Sequence, residues 1–132
     1  MKFFHLSDLH IGIKLHNYDL QADQKDILKQ IINAAKEYHP DAVVIAGDIY
    51  DRAIPGPDAV ALFDWFVTSL VQAIPEAEIM IISGNHDSSQ RLNVFRSILK
   101  SHHIHMVGLP PLNPDDHIEK VTLNDQYGEV DF

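Results

Sequence analysis

Three short polar clusters hold the side chains of this sequence that could do chemistry: Asp8-Leu9-His10, Gly47-Asp48-Ile49-Tyr50-Asp51 and Gly84-Asn85-His86-Asp87. Carboxylate, imidazole and carboxamide donors together suit manganese, iron or zinc, whereas an alkaline-earth site would be built from oxygen alone. In an extended segment, residues two apart send their side chains to the same side, so Asp8 and His10 could reach one ion. Gly47 and Gly84 let the backbone turn sharply and bring the next side chain close. Asp48 could then bridge two cations. Two cations about 3.5–4 Å apart lower the pKa of a shared water, orient a phosphoryl group and neutralise its charge.

Such a site exists only if the fold gathers clusters that lie far apart in the chain. Lys2 to Ser7 reads as a short buried strand, and Asp41 to Ala46 and Glu78 to Ser83 are apolar runs of the kind covered on both faces. Between them, Ile27, Leu28, Ile31, Ile32 and Ala35 recur at helical spacing from about Leu20 to Tyr38, and His39-Pro40 stops that helix. Pro55-Gly56-Pro57-Asp58 opens a second helix with Val60, Phe63, Val67, Leu70 and Ile74 on one face. Leu92, Phe95, Ile98 and Leu99 mark a third, and His105-Met106-Val107 a fourth strand. Strand, loop and helix repeated in this order predict an α/β domain with a largely parallel sheet and right-handed crossovers. Ligands of open parallel sheets bind beyond the carboxyl ends of the strands, where all three clusters fall. Leu109 to Pro114 is too rich in proline for regular structure; Ile118 to Leu123 reads as an exposed strand, Asn124 to Gly128 as a turn, and Glu129 to Phe132 as a new strand.

The chain has 132 residues, 45% of them hydrophobic, which fits one domain with its own core. Ten Lys and Arg against 19 Asp and Glu leave a net charge of −9, the wrong sign for holding nucleic acid by a basic surface. Phosphate chemistry here must import positive charge, and nine histidines are available to hold a metal. The absence of cysteine excludes disulfide scaffolds and thiolate zinc sites. No apolar run approaches the roughly 20 residues that span a bilayer, and no signal peptide precedes the first cluster, so the expected location is the cytoplasm.

The ordered set D-x-H, GDxxD and GNHD resembles the signature of the calcineurin-like metallophosphoesterases. Ser7-Asp8-Leu9-His10-Ile11-Gly12, Leu15-His16-Asn17-Tyr18-Asp19-Leu20, Ala46-Gly47-Asp48-Ile49-Tyr50-Asp51-Arg52 and Ser83-Gly84-Asn85-His86-Asp87-Ser88 are similar to the SbcD-type nuclease subunits of that superfamily. The similarity runs through the tail at Leu123 to Phe132. It implies a layered α/β metallophosphoesterase-type fold with a largely parallel sheet flanked by helices, with residues 1–132 as the N-terminal portion of one nuclease domain, truncated before its second half.

By the same resemblance, Asp8 and His10 would hold a first metal, Asp48 would bridge, Asn85 would hold a second, and His86 would act as acid or transition-state donor to the leaving oxygen. The implied reaction is hydrolysis of DNA phosphodiesters by metal-bound hydroxide, with two divalent ions, manganese favoured. The implied partners are DNA, an SbcC-type ATPase and a second copy of the chain, in DNA repair, recombination and replication, with no membrane. The family completes its second ion with later histidines that this sequence does not match, so the 132 residues are expected to bind one ion at best and to be catalytically impaired. The alternatives are a phosphomonoesterase or protein phosphatase, suggested by Gly47 to Arg52, and a non-catalytic dimerisation fragment.

Other polar residues have plainer readings. Asp51 is expected to orient Asp48 or a ligating histidine. Asp87 could cap the third helix or position His86. His102, His103 and His105 follow a helix end whose dipole favours them. Arg52 and Arg91 could meet a phosphate or pair with surface carboxylates, and Phe63, Trp65 and Phe66 read as core or subunit interface.

Overall fold

The computed structural model describes every residue except Phe95, Pro110, Pro114, Asp116 and Ile118. In chain order the elements are β1 (Phe3–Leu6), β2 (Lys14–Leu15), β3 (Tyr18–Asp19), α1 (Gln21–Tyr38), β4 (Ala42–Ala46), α2 (Pro57–Ala73), β5 (Glu78–Ile82), α3 (Ser89–Leu92), α4 (Arg96–Lys100), β6 (Ile104–Val107), β7 (Thr122–Asp125) and β8 (Gly128–Asp131). Strands β1, β4, β5 and β6 form one parallel sheet in that order, which is the predicted α/β architecture. Because sheet order follows chain order and such crossovers are right-handed, the helices gather on one face. There Leu28, Ile32 and Ala35 of α1 and Leu62, Phe63, Phe66 and Leu70 of α2 share one core with Val43, Ile45, Ile79 and Ile81. Fully burying a side chain such as Phe66 contributes roughly 1.5–3 kcal/mol.

Several expectations are refined by the fold. β1 is an edge strand with its residues exposed or half-buried, not a buried one, because only β4 flanks it. The opposite sheet face is closed at Ala42 and Met80 but opens toward the strand ends, leaving Ile82 47% exposed. α1 ends as predicted, with His39 in the left-handed region and its amide bonded to the Ala35 carbonyl. Its buried stripe excludes Ile27, and that of α2 runs through Ala59, Leu62 and Phe66 instead of Val60, since both helices pack on each other as well as on the sheet. The third helix is two short pieces, α3 and α4; Leu92 is buried and Ile98 exposed, while Phe95 lies outside the described residues.

Two hairpins complete the fold. β2 and β3, expected as loop, pair around His16 and Asn17, both at positive φ as a tight two-residue turn requires. β7 and β8 pair antiparallel where two strands joined by a turn were expected, though Pro110, Pro114 and Ile118 of the preceding stretch lie outside the described residues. This hairpin docks on the chain start: the N-terminal ammonium donates to Asp125 Oδ2 at 2.7 Å, and the Phe3 and Phe132 rings meet edge-on at 5.3 Å.

Candidate metal centre

The three clusters meet beyond the carboxyl ends of β1, β4 and β5. The β1–β4 ladder continues past both strands: the Asp8 amide donates to the Gly47 carbonyl at 3.2 Å, His10 to Asp48 at 2.9 Å, and Ile11 to Ile49 at 2.8 Å. Asp51 donates back to Ile11 at 3.2 Å. Asp8, His10 and Asp48 all sit in the left-handed region, at φ 53°, 42° and 49°. The segment is therefore not the extended one anticipated from the D-x-H spacing; two left-handed residues bring Asp8 and His10 to the same side instead. Left-handed backbone costs roughly 1–2 kcal/mol at a residue with a Cβ, and such geometry persists where its surroundings over-determine it.

The third loop supplies much of that constraint. Gly47 turns at φ 88°, and a Cβ on it would stand 2.9 Å from Gly84 Cα. A Cβ on Gly84 would stand 2.0 Å from Asp48 Oδ1 and 2.2 Å from Asp48 N, so its empty side is the space the Asp48 carboxylate occupies. That carboxylate accepts the His86 amide through Oδ1 at 3.0 Å. On the helix side, Gln24 of α1 accepts the Gly12 amide at 3.0 Å and donates to the Leu9 and His10 carbonyls at 3.1 and 2.9 Å, clamping the first loop.

His10 Nε2 lies 3.9 Å from Asp8 Oδ1 and 3.9 Å from Asp48 Oδ2. Those separations are too long for hydrogen bonds, but two donors each about 2.1 Å from one ion stand roughly 3–4 Å apart. Donor atoms of His10, Asp48 and His86 all lie within 4.8 Å of one another, and the two imidazoles meet edge-on at 4.9 Å. His10 Nδ1 is buried without a hydrogen-bond partner, 3.9 Å from Asp51 Oδ1. An orphaned imidazole nitrogen facing a carboxylate, with its other nitrogen among carboxylate oxygens, fits the orientation of a histidine that ligates a metal. The donor set thus fits a divalent transition metal.

His86 Nδ1 faces the Asp51 carbonyl at 2.9 Å. This contact, followed by the fields of Asp48, Asp51 and Asp87, holds the exposed His86 imidazole above its ordinary pKa. Burial, with Asp87 and Asp64 nearby, pushes the Tyr50 phenol up to about 12, so it stays un-ionised.

Residues 1–129 match the family model of the calcineurin-like phosphoesterases. This chain belongs to that family. The phosphoesterase is also 38% identical over 134 aligned residues to the SbcD component of the nuclease SbcCD of Staphylococcus saprophyticus subsp. saprophyticus, an alignment covering all of this chain and 33% of that protein. The chain therefore spans about a third of the length of that curated relative. The family implies divalent metal ions, and His10, Asp48 and His86 form the group of this phosphoesterase able to hold one among the described residues. Also among the described residues, no helix is long and apolar enough to cross a membrane.

Of the sequence-predicted site residues, His10, Asp48 and His86 converge most tightly. Asp8 stands at the same rim with its side chain 68% exposed, within 3.9 Å of His10 but outside that triad. Asn85 is exposed in the same loop, between Gly84 and His86. Asp51 faces both histidines, one through its carboxylate and one through its carbonyl. Asp87 does not cap α3, whose N-cap position is Ser88 and which has no side-chain cap; it is buried, 8% exposed, and accepts three amides of the neighbouring loops. His103 and His105 pair with Glu78 at 2.8 and 2.5 Å, at the opposite end of β5 from these loops. Gln24 was missed, although its position four residues before Leu28 puts a polar side chain on the buried stripe of α1.

Proposed function

We propose that this phosphoesterase is the N-terminal part of a nuclease domain that hydrolyses DNA phosphodiester bonds with divalent metal, manganese favoured. The observation that carries this reading is the meeting of Asp8, His10 and Asp48 at the strand ends, His10 Nε2 standing 3.9 Å from both carboxylates, with His86 within 4.8 Å of His10 and Asp48 as proton donor and not as ligand. The similarity to a nuclease component supports the choice of a phosphodiester over a phosphomonoester. Asp8 and His10 would hold a first ion, Asp48 would bridge, and Asn85 would reach a second. Bound there, the ions would lower the pKa of water and neutralise the phosphate.

The chain's own residues do the remaining work. Asp51 Oδ1 stands 3.9 Å from His10 Nδ1 and would orient the ring by closing on that nitrogen, with Nε2 toward the carboxylates. A carbonyl only accepts, so the Nδ1 of His86 facing Asp51 carries a proton. As an imidazolium, His86 would offer its other proton from Nε2. When the oxygen of water bonds to phosphorus and the bond to the departing strand breaks, that strand's oxygen needs a proton, and His86 is the donor. A net charge of −9 means the chain holds DNA with help, for which an SbcC-type ATPase and a second copy of this chain are the proposed partners in repair and recombination. With only Asp48 and Asn85 offered to a second ion, the 132 residues alone are proposed to bind one ion and to be catalytically impaired.

Manganese titration by calorimetry, paired with cleavage assays on duplex and hairpin DNA, tests the reading. One ion bound per chain, weak cleavage, and loss of both in Asp48→Asn are expected. Hydrolysis of nitrophenyl phosphate without any DNA cleavage would assign a phosphatase instead, and full nuclease activity from these residues would overturn the one-ion reading.

A further inference from the structure

We infer that Asp87 is the positioning residue of the rim, a single buried carboxylate that locks all three donor loops to one another. This rests on the metal-site reading above. Asp87 Oδ2 accepts the amides of Ile49 at 3.0 Å and Gly84 at 2.9 Å, and Oδ1 accepts that of Tyr50 at 2.9 Å. Ile49 and Tyr50 directly follow Asp48, and Gly84 directly precedes Asn85 and His86. The carboxylate therefore fixes the chain just after one donor and just before the next two. The hold reaches the first loop as well, because Ile49 accepts the Ile11 amide and Asp48 accepts that of His10 through their carbonyls.

Burying a carboxylate is costly unless strong donors compensate it. Three amides do so here, and charge-assisted bonds of this kind are roughly twice as strong as neutral ones. What they fix is a conformation the backbone would not choose, with Asp48 at φ 49° and its carboxylate turned under the His86 amide. Both Asp87 oxygens are engaged by amides, which hold the loops in place. Substitution at 87 should act through the placement of Asp48 and His86. Asparagine retains one oxygen, enough for the two amides that share Oδ2, but sets its NH2 group against the Tyr50 amide.

The test compares Asp87→Ala and Asp87→Asn with Leu70→Ala, a core truncation on α2, in the full chain. Loss of a residue that orients metal ligands typically costs about 10–100-fold in affinity, so Asp87→Ala should bind manganese at least about tenfold more weakly, Asp87→Asn should fall between it and the wild type, and Leu70→Ala should stay within about twofold. Wild-type affinity in a folded Asp87→Ala, or an equal loss in Leu70→Ala, would overturn the inference. If Asp87→Ala fails to fold, Asp87→Asn carries the comparison. A metal-free readout separates this from the metal reading: the His86 amide proton bonds Asp48, not Asp87, and should move upfield in the nitrogen-15 spectrum of Asp87→Asn. An unmoved His86 signal overturns the positioning role even if the protein binds no manganese, an outcome that would sink the metal reading separately.

Discussion

Replacing Gly84 by alanine asks how much the rim depends on one missing methyl group. The new Cβ would lie 2.0 Å from Asp48 Oδ1, 2.7 Å from its Cγ and 2.2 Å from its backbone nitrogen, where real contacts stay beyond 3.0 Å. A side chain alone could swing away, but the backbone nitrogen must retreat by about 0.8 Å, which is overpacking against main chain. Overpacking costs about 1–3 kcal/mol. The displacement also strains the Gly84 bond to Asp87 and the His86 bond to Asp48, and hydrogen bonds to charged groups contribute about 1.5–3 kcal/mol each. A combined loss of about 3–5 kcal/mol is therefore expected, allowing for partial relaxation. At about 2.1 cal/mol/K of unfolding entropy per residue, a chain of this length would lose about 10–18 °C in melting temperature. Scanning calorimetry with and without manganese measures this, and manganese should no longer raise the melting point. Gly56→Ala is the matched control, since nothing lies within 4 Å of its Cβ and its φ is −68°; it should change stability by less than about 1 kcal/mol. A Gly84→Ala protein melting within a few degrees of wild type would refute the steric reasoning.

Three further outcomes are expected. Gln24→Ala removes three hydrogen bonds on the first loop and should lower unfolding stability in urea by about 2–4 kcal/mol, with a weaker manganese response. Phe66→Ala, at a fully buried site remote from the donor loops, should cost about 3–5 kcal/mol yet leave manganese affinity of the folded protein unchanged. Burial pushes the Glu78 carboxyl up, but its bonds from His103 and His105 outweigh that and hold it below its ordinary 4.5, while the Glu78 bond raises His103 above 6.5. The lowered carboxyl stabilises above pH 4.5 and loses its contribution as pH falls through its folded value; the raised imidazole stabilises below pH 6.5 and loses it as pH rises through its own. The advantage of wild type over Glu78→Gln should therefore peak between those two values and, His103 being exposed, stay small and shrink in high salt. An advantage that grows steadily to pH 8 would rule this out.

Much of the architecture was legible because buried strands and amphipathic helices leave periodic signals, as at Ala42–Ala46 and Gln21–Tyr38. The convergence of the donor clusters was legible because each sits directly after a strand of the parallel sheet. The parts not read share one cause: they depend on backbone geometry or on partners distant in the chain. Left-handed Asp8 and His10 look extended when judged by spacing alone. The turn at His16 and Asn17 lacks the glycine that advertises a two-residue hairpin. Asp87 looks like a helix cap because its true partners, Ile49 and Tyr50, are 38 and 37 residues away. Helix α2 showed its inner face at Phe63, Leu70 and Ile74, which are buried, but because the helix packs on α1 as well as on the sheet that face extends to Ala59, Leu62 and Phe66 and leaves Val60 exposed.

The long reach of the Asp87 bonds has a bearing on when a growing chain can first capture an ion. Asp48 emerges from the ribosome well before the carboxylate that braces it, and the His86 amide that seats it arrives almost as late. Until β5 aligns beside β4, the early donors have no shared focus and compete poorly with free chelators. If the proposed site holds its ion, metal loading is thus a late event that rewards a finished scaffold, and scarce divalent metal should slow maturation without redirecting how the sheet assembles.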